Sequence, residues 1–397
     1  MSGLLSIDEA LRRVLARAVV LDAERVPVDE AAGRFLASDV TAVVDLPPFA
    51  SSAMDGYALR ADDTPGLLPV VARVAAGLPA ERALVAGEAM AISTGGAVPE
   101  GADSVVPIEF VVESDNKLEV PAPVELGANV RRIGGDIHAG DLLLPAGTRV
   151  GAAQIGALAA VGVAELLVAR RPKVVVLSTG TELRAPGGQL GAGQIYESNA
   201  PMLAAAFAAA GAEVERIGPV ADDEGEHRRA LERGLEADVL VSSGGVSVGP
   251  HDLVRRIVAE LGVEEDFWGV AVRPGKPLAF GVRGRTLVFG LPGNPVSALV
   301  GVELFVRPAL LALQGATDPG PAYELGTLAA PLRRNAARDD LARARTRRDA
   351  DETVLEPLTG QESHMIARAA GADALVLVPS GEGRLEPGER VRYLPLR

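Results

Sequence analysis

Residues 171–182 read RPKVVVLSTGTE, and this stretch decides the fold of the middle of the chain. In the run 173–177 every residue after Lys173 is apolar, as expected of a strand whose two faces are both covered. Helical and extended patterns then alternate: a helix around 201–210, a strand at 213–217, a helix at 224–235, a strand at 238–241, a helix at 251–261, a hairpin-like region at 278–289 and a long helix after Pro295. This alternation predicts a doubly wound parallel α/β sheet.

The N-terminus predicts a helix. Ser6 and Glu9 stand at the spacing of a capping box, in which the serine hydroxyl and the glutamate side chain satisfy free amides of the first turn. Apolar residues then recur at helical spacing, so we expect an amphipathic helix that ends near Val20. Residues 151–168 read as a helix followed by a strand, which we expect to pack on this first helix.

The two remaining regions are rich in short strands. Many Pro and Gly residues and short β-branched runs predict an all-β insertion in the first half, and the chain from 318 onward predicts a small β-barrel or sandwich. We therefore expect a multidomain α/β plus β protein with these parts: a discontinuous N-terminal and linker domain at 1–40 and 141–170, a β-rich insertion domain at 41–140, an α/β domain at 171–317 and a C-terminal β domain at 318–397.

Composition argues against several classes of function. The chain has 397 residues and a formal net charge of −14, whereas binding of nucleic acid needs a clustered basic surface. It has no Cys, which excludes disulfides, thiolate metal sites and a cysteine nucleophile, and which fits a cytoplasmic protein. The apolar stretch 295–313 is interrupted by Glu303 and Arg307, so we predict a buried helix there and no membrane span.

Three loops follow predicted strands of the α/β segment, at 178–182, 242–249 and 291–295. Ligands of open α/β sheets bind at the carboxyl ends of the strands, where glycines let the backbone approach a phosphate and helix N-termini favour negative charge. Asp252 follows the second loop and could hold a metal that bridges phosphate oxygens. Taken alone, each loop could equally be an ordinary strand-to-helix turn, with Asp252 placed to suit the helix dipole.

Other segments suggest anion binding. Arg273 and Lys276 flank a Pro-Gly turn that can present both cations to one ligand, although a surface turn with solvated charges has the same sequence.

The remaining candidate residues give weaker signals. Asp55 precedes Gly56, and this pair is a strong hairpin-turn signal, so the sequence around Asp55 alone favours a structural role. The four histidines show no metal-ligand spacing, and neither H-E-x-x-H nor G-x-S-x-G occurs, so zinc and serine hydrolases have no support.

Taken together, these segments resemble the molybdopterin molybdenumtransferase family, which includes the C-terminal domain of gephyrin. The motifs that carry the resemblance lie in order along nearly the whole chain: SAMDGYA at 52–58, STG at 93–95, RR at 131–132 with GDI at 135–137, STGTEL at 178–183, GQIY at 193–196, SSGGVSVG at 242–249, RPGKP at 273–277 and GLPGNPVSA at 290–298. One departure is Gly269, where some members carry a lysine.

The resemblance implies a fold, a reaction and partners. It implies an elongated homodimer of four-domain subunits, in which the α/β domain binds molybdopterin. The substrates are adenylylated molybdopterin and molybdate, Mg²⁺ is the cofactor, and AMP is released as molybdenum is left on the pterin sulfurs. Transient partners are then molybdopterin adenylyltransferase and the recipient molybdoenzymes, with no nucleic acid and no membrane involved.

The resemblance also implies roles for single residues. Catalytic positions are Asp55, Thr94, Asp136, Glu182 and Asp252. Asp222 and Asp252 would hold the metal, and the substrate-binding positions are Gly244, Gly245, Ser247, Arg273, Lys276, Pro292, Asn294, Arg343 and Ser363.

Three other functions remain open at this point. Molybdopterin adenylyltransferase resembles the α/β segment but does not need the other domains. A non-catalytic dimeric scaffold or pterin-binding chaperone could share the fold, although it need not keep the acidic and basic site residues. A tungstate-specific paralogue would have the same sequence features, because the two oxyanions have nearly the same size and charge.

Overall fold

A computed structural model describes residues 4–221, 223–244, 253–349 and 351–396 of the chain. The chain divides into two compact units. Unit 1 comprises Met1–Glu24, Gly33–Ala37 and Val168–Arg397, and unit 2 comprises Arg25–Ala32 and Ser38–Leu167. The finer division into four domains stays a prediction.

The N-terminal helix α1 (Ile7–Arg17) belongs to unit 1. The Ser6 hydroxyl accepts the backbone N–H of Glu9 at 3.1 Å, which confirms the serine half of the predicted cap. The helix ends at Arg17, earlier than expected, because the chain turns so that the N–H of Leu21 reaches the carbonyl of Leu313 at 2.9 Å. Its buried face joins the core of the α/β part of the unit.

Unit 2 is built mainly of short strands, as the sequence predicts. The elements from here to the start of the α/β part are β1 (Ala23–Pro27), β2 (Val40–Thr41), β3 (Ser51–Ser52), β4 (Gly56–Leu59), β5 (Gly66–Val74), β6 (Ala89–Ile92), β7 (Ser104–Pro107), β8 (Val112–Ser114), β9 (Lys117–Val120), β10 (Val130–Arg131), β11 (Leu142–Leu144), α2 (Ala152–Ala160) and β12 (Glu165–Ala169). Six strands form one sheet in the order β7-β4-β6-β5-β9-β8, over two apolar clusters that include Leu59, Leu118 and Met90.

The α/β part of unit 1 matches the predicted alternation. Its elements are β13 (Lys173–Thr179), β14 (Leu183–Arg184), β15 (Ile195–Tyr196), α3 (Asn199–Ala209), β16 (Glu213–Val220), α4 (Glu224–Gly234), β17 (Val239–Ser243), α5 (Leu253–Glu260), β18 (Glu264–Trp268), β19 (Val272–Arg273), β20 (Ala279–Arg283), β21 (Thr286–Leu291), α6 (Pro295–Gly301), a π-helical segment (Val302–Val306) and α7 (Arg307–Leu313).

The main sheet of this part has the order β16-β13-β17-β21-β20-β18. The first four strands are parallel, whereas β20 and β18 pair antiparallel as a hairpin extension. Successive residues of β13 face opposite cores: Val174 and Val176 pack with α3, while Val175 and Leu177 pack with α4 and α5. The run is continuously apolar because helices cover both faces of β13, so no side chain of the run needs to face water.

One long helix, Pro295–Leu313, lies in the core. Among the described residues, this is the one helix that is long and apolar enough to cross a membrane. Of its most apolar 18-residue stretch, 72% is buried inside the protein. Val300, Leu304 and Phe305 are fully buried in the same cluster as the sheet. The prediction of a buried helix is confirmed.

The C-terminal part of unit 1 is a closed barrel. Its elements are β22 (Glu324–Leu328), β23 (Leu332–Arg333), β24 (Asp339–Asp349), β25 (Glu352–Pro357), α8 (Ile366–Ala369), β26 (Ala374–Val378), β27 (Arg384–Leu385) and β28 (Arg390–Pro395). Five strands close in the order β24-β25-β22-β28-β26, because β24 also pairs with β26. Strand β19 of the α/β part adds to β24 in parallel, which joins the barrel to the α/β part.

Candidate functional site

The loops after the parallel strands meet at one edge of the sheet, as their position predicts. The N–H of Gly244 donates to the carbonyl of Leu291 at 3.1 Å, and the Cα atom of Gly244 stands next to Gly293. Thr179 contacts Gly244 from the first loop. Glu182 lies in this first loop with its side chain exposed. The predicted residues Asp222, Gly245, Ser247 and Asp252 lie outside the described residues.

Asn199 ties these loops together, and the sequence analysis missed it. Its buried side-chain amide donates to the Ser243 hydroxyl at 2.7 Å and to the Gly293 carbonyl at 2.8 Å. The Glu197 carboxylate accepts the N–H groups of Asn199 and Ala200, at the start of α3. A signal is present in the sequence, since Glu197 directly follows the GQIY motif and Asn199 lies two residues further on.

The cationic turn at 273–277 lines a large cleft in unit 1. Gly275 has φ +118°, a backbone conformation that L side chains rarely adopt, and this turn leaves Arg273 and Lys276 exposed. The cleft has a volume of about 830 Å³ and is also lined by Arg333 and Arg338 from the barrel side. Four cations therefore gather at one cleft of a chain whose net charge is −14, which favours a small anionic ligand there.

Asp340 lies in the wall of this cleft and was not predicted. It is 5% exposed and forms an ion pair with Arg273, the residue opposite it in the pairing of β19 with β24. Burial raises the pKa of the Asp340 carboxyl, and the neighbouring Arg273 guanidinium offsets this shift only in part. Asp340 therefore holds Arg273 at the mouth of the cleft.

The opposite wall joins the α/β part to a barrel loop. The Asn294 side-chain amide donates to the Ser363 hydroxyl at 2.9 Å, and the N–H of Val296 donates to the Ser363 carbonyl at 3.1 Å. Pro292, Asn294 and Ser363 all line the cleft. Asn294 precedes α6, but its side chain does not cap the helix and instead fixes the barrel loop that carries Ser363.

Arg343 differs from its prediction as a cleft-facing residue. It is 1% exposed, and its guanidinium donates to the carbonyls of Met365 at 2.9 Å and Gly360 at 2.6 Å. The Gln361 side chain bonds both the N–H and the carbonyl of Arg343, at 2.9 Å each. Arg343 thus holds the loop that carries Ser363 from behind and does not line the cleft. Its neighbours Ala342 and Ala344 face the barrel interior, so Arg343 lies on the outer face of β24, where the loop at 360–365 covers it.

Unit 2 carries a second group of predicted site residues. The Asp55 carboxylate accepts both the N–H and the hydroxyl of Thr94, and these two bonds lower the pKa of Asp55. Asp55 and the exposed side chain of Ser93 line a hollow of about 240 Å³. A Cβ atom at Gly56 would stand 2.0 Å from the carbonyl oxygen of Val106, so this position at the start of β4 requires glycine. Asp136 is exposed, with its backbone N–H bonded to Leu46.

Comparison with known proteins gives matches over nearly the whole chain. Residues 5–162 match the MoeA N-terminal region (domain I and II), residues 175–312 a probable molybdopterin binding domain, and residues 326–396 the MoeA C-terminal region (domain IV). Molybdopterin molybdenumtransferase 2 of Mycobacterium tuberculosis is 38% identical, over 94% of each chain. Molybdopterin molybdenumtransferase of Haemophilus influenzae is 32% identical, over 99% of this chain and 98% of that one.

The chain belongs to the molybdopterin molybdenumtransferase family.

Solved structures agree with this membership. Two crystal structures of the molybdopterin biosynthesis MoeA protein from Pyrococcus horikoshii are similar to this chain. One is 33% identical with a TM-score of 0.84 and covers 100% of both chains, and the other is 28% identical with a TM-score of 0.86 and covers 99% of this chain and 100% of that one. Because the family matches include both regions outside the α/β part, an adenylyltransferase that needs only that part is disfavoured.

Proposed function

We propose that this member of the molybdopterin molybdenumtransferase family inserts molybdenum from molybdate into adenylylated molybdopterin and releases AMP. The observation that carries the proposal is the cationic cleft at Arg273 and Lys276, in a chain that matches a relative of this family over 94% of its length. A volume of about 830 Å³ lies within the usual range for small-molecule sites, roughly 300–1,000 Å³. Molybdate is a tetrahedral oxyanion, and fixed arginine and lysine donors suit its binding.

The loops at the carboxyl ends of the strands supply the second requirement. Hydrolysis of an adenylate develops charge on phosphate oxygens, and donors already in place stabilise such charge in the transition state. Gly244, Gly293 and the start of α6 present backbone close to where a phosphate would bind. Asn199 keeps these loops in register through its two hydrogen bonds. No protein thiol is required, because the pterin supplies the sulfur ligands.

Mg²⁺ is the proposed cofactor. The described residues contain no group of three or more His, Asp or Glu side chains that could hold a metal ion. The family resemblance gives Asp222 and Asp252 as the proposed ligands, and both lie outside the described residues. When bound there, Mg²⁺ would supply positive charge to the phosphate linkage.

Assembly and location follow from the same family resemblance. We propose a homodimer in the cytoplasm that receives its substrate from molybdopterin adenylyltransferase and passes the finished cofactor to recipient molybdoenzymes. Light scattering of the purified chain measures the first of these points, with twice the monomer mass expected.

Transfer of the product tests the function as a whole. The purified protein would be incubated with adenylylated molybdopterin, molybdate and Mg²⁺, and the mixture added to a molybdoenzyme apoprotein. Activity of the reconstituted enzyme is expected only when molybdate is present. Reconstitution with tungstate alone would assign the protein to tungsten instead, and no reconstitution by folded protein would contradict the proposal.

A further inference from the structure

Asp340 is an unusual residue for the wall of an anion-binding cleft. Its side chain is 8% exposed, and one carboxylate oxygen, Oδ2, bonds the Arg273 guanidinium. The other oxygen, Oδ1, is buried and has no hydrogen-bond partner among the described residues. A buried carboxylate oxygen without a donor is costly in its charged form, because it has lost its hydration without replacement.

The backbone keeps Asp340 and Arg273 together. They are partners in the parallel pairing of β19 with β24, so the backbone of one residue stays next to the backbone of the other. The Arg273 side chain is nevertheless 52% exposed, which leaves part of its guanidinium open to a ligand in the cleft. One guanidinium therefore faces the Asp340 carboxylate on one side and an incoming anion on the other.

The other charges around Asp340 do not remove this competition. Arg338 lowers the pKa of Asp340 and the adjacent Asp339 raises it, while burial raises it most. The side chains of the cleft that can carry charge or titrate near Asp340 are Arg273 and Lys276 from the turn, Arg333, Arg338 and Asp339 from the barrel side, and Glu362 and His364 from the barrel loop. An added dianion would repel the Asp340 carboxylate and draw on the same cations.

We propose that Asp340 takes up a proton when molybdate occupies the cleft, so that oxyanion binding is coupled to protonation of this carboxyl. The inference rests on the proposed function, because molybdate is that function's substrate. Protonation removes the like charge beside the oxyanion and frees Arg273 to bind it. Affinity for molybdate then falls as pH rises from the pKa of Asp340 in the free protein towards its higher pKa in the complex.

Calorimetry of the full chain with molybdate alone tests the coupling. Titrations in buffers of different ionisation enthalpy, between about pH 6 and about pH 8, give the number of protons taken up per molybdate. We expect net uptake by the wild-type protein, with affinity weakening by up to about tenfold per pH unit where uptake approaches one proton. Asp340→Asn should bind molybdate with no proton uptake and a flat pH profile.

Two control variants separate Asp340 from its neighbours. His364→Asn and Glu362→Gln remove the titratable groups of the barrel loop and should keep the uptake. Uptake that disappears in His364→Asn or Glu362→Gln, or that persists in Asp340→Asn, would overturn the inference, and so would binding by the wild-type protein without any uptake. If Asp340→Asn does not fold, uptake that survives in both controls still supports Asp340 as the source.

Failure of the inference and failure of the proposed function are distinguishable. Molybdate that does not bind at any pH overturns the coupling. AMP release from adenylylated molybdopterin, measured on the same preparation, then decides separately whether the proposed function stands.

Discussion

Thr94 donates two hydrogen bonds to one oxygen of Asp55, from its backbone N–H at 2.7 Å and from its hydroxyl at 3.0 Å. The two residues are 39 positions apart, and the pairing fixes the carboxylate at the edge of a hollow in unit 2. Both bonds favour the charged form, so Asp55 is a ready acceptor at neutral pH.

Thr94→Val tests this pairing, because it removes the hydroxyl bond and keeps the backbone bond. The pKa of Asp55 is lowered by these bonds, so losing one raises it, and the acid limb of the pH profile of AMP release should move to higher pH. Asp55 stays charged at neutral pH in both proteins, so the several-fold loss of activity that we expect there comes from looser positioning of the carboxylate. Thr148→Val, which alters an exposed hydroxyl bonded to the Pro145 carbonyl, is the matched control and should leave the profile unchanged.

Arg273→Met and Lys276→Met test the cationic turn. Each keeps most of the side-chain length and removes one charge that faces the cleft. A hydrogen bond to a charged group contributes about 1.5–3 kcal/mol, so each variant should weaken molybdate binding by roughly tenfold or more in calorimetry. Arg390→Met removes an exposed charge from β28 and should bind as the wild type does. Unchanged affinity in both cleft variants would place the oxyanion elsewhere.

The bond between Asn294 and Ser363 is suited to a double-mutant cycle. Asn294→Ala, Ser363→Ala and the double variant would be compared in kcat/KM for AMP release. We expect a coupling of about 0.5–1.5 kcal/mol, because each single change breaks the same bond. Strictly additive losses would mean that the two side chains act independently and that their contact does not shape the cleft.

Arg343→Lys tests whether this residue supports the barrel loop. Lysine keeps the charge but cannot reproduce the fork that reaches the Met365 and Gly360 carbonyls. We expect the free energy of unfolding to fall by about 2–4 kcal/mol in urea denaturation, because a charge at this buried position loses several of its hydrogen bonds. Arg345→Lys, two residues along the same strand and exposed, should cost much less. Full stability with lost activity would instead favour direct contact of Arg343 with substrate.

The sequence predicts those parts of the fold that depend on local pattern. Each of these features depends on a short stretch of sequence: the apolar run of β13, the cap at Ser6, and the loops at the carboxyl ends of the parallel strands. The loops then meet in space because parallel strands present their carboxyl ends at one edge of a sheet. For the same reason Gly244 and Gly293 are neighbours although they lie in different loops.

Long-range pairing accounts for what the sequence does not predict. The ion pair of Arg273 with Asp340 arises because β19 adds to a barrel strand, and no local pattern announces that register. Arg343 was expected to face the cleft because its position matches the family, yet the loop at 360–365 covers it on the outer face of the barrel strand. Asn199 acts through burial and through hydrogen bonds to Ser243 and Gly293 across the sheet edge, which spacing alone cannot show.

Release of AMP is the most direct measurement of the central claim. The purified protein would be mixed with adenylylated molybdopterin and Mg²⁺, with and without molybdate, and AMP followed over time, with Arg273→Met in parallel. Release that depends on molybdate and is weakened in the variant is the predicted result. Release that proceeds equally without molybdate and without Arg273, or no release by folded protein that still binds the adenylylated pterin, would contradict the account.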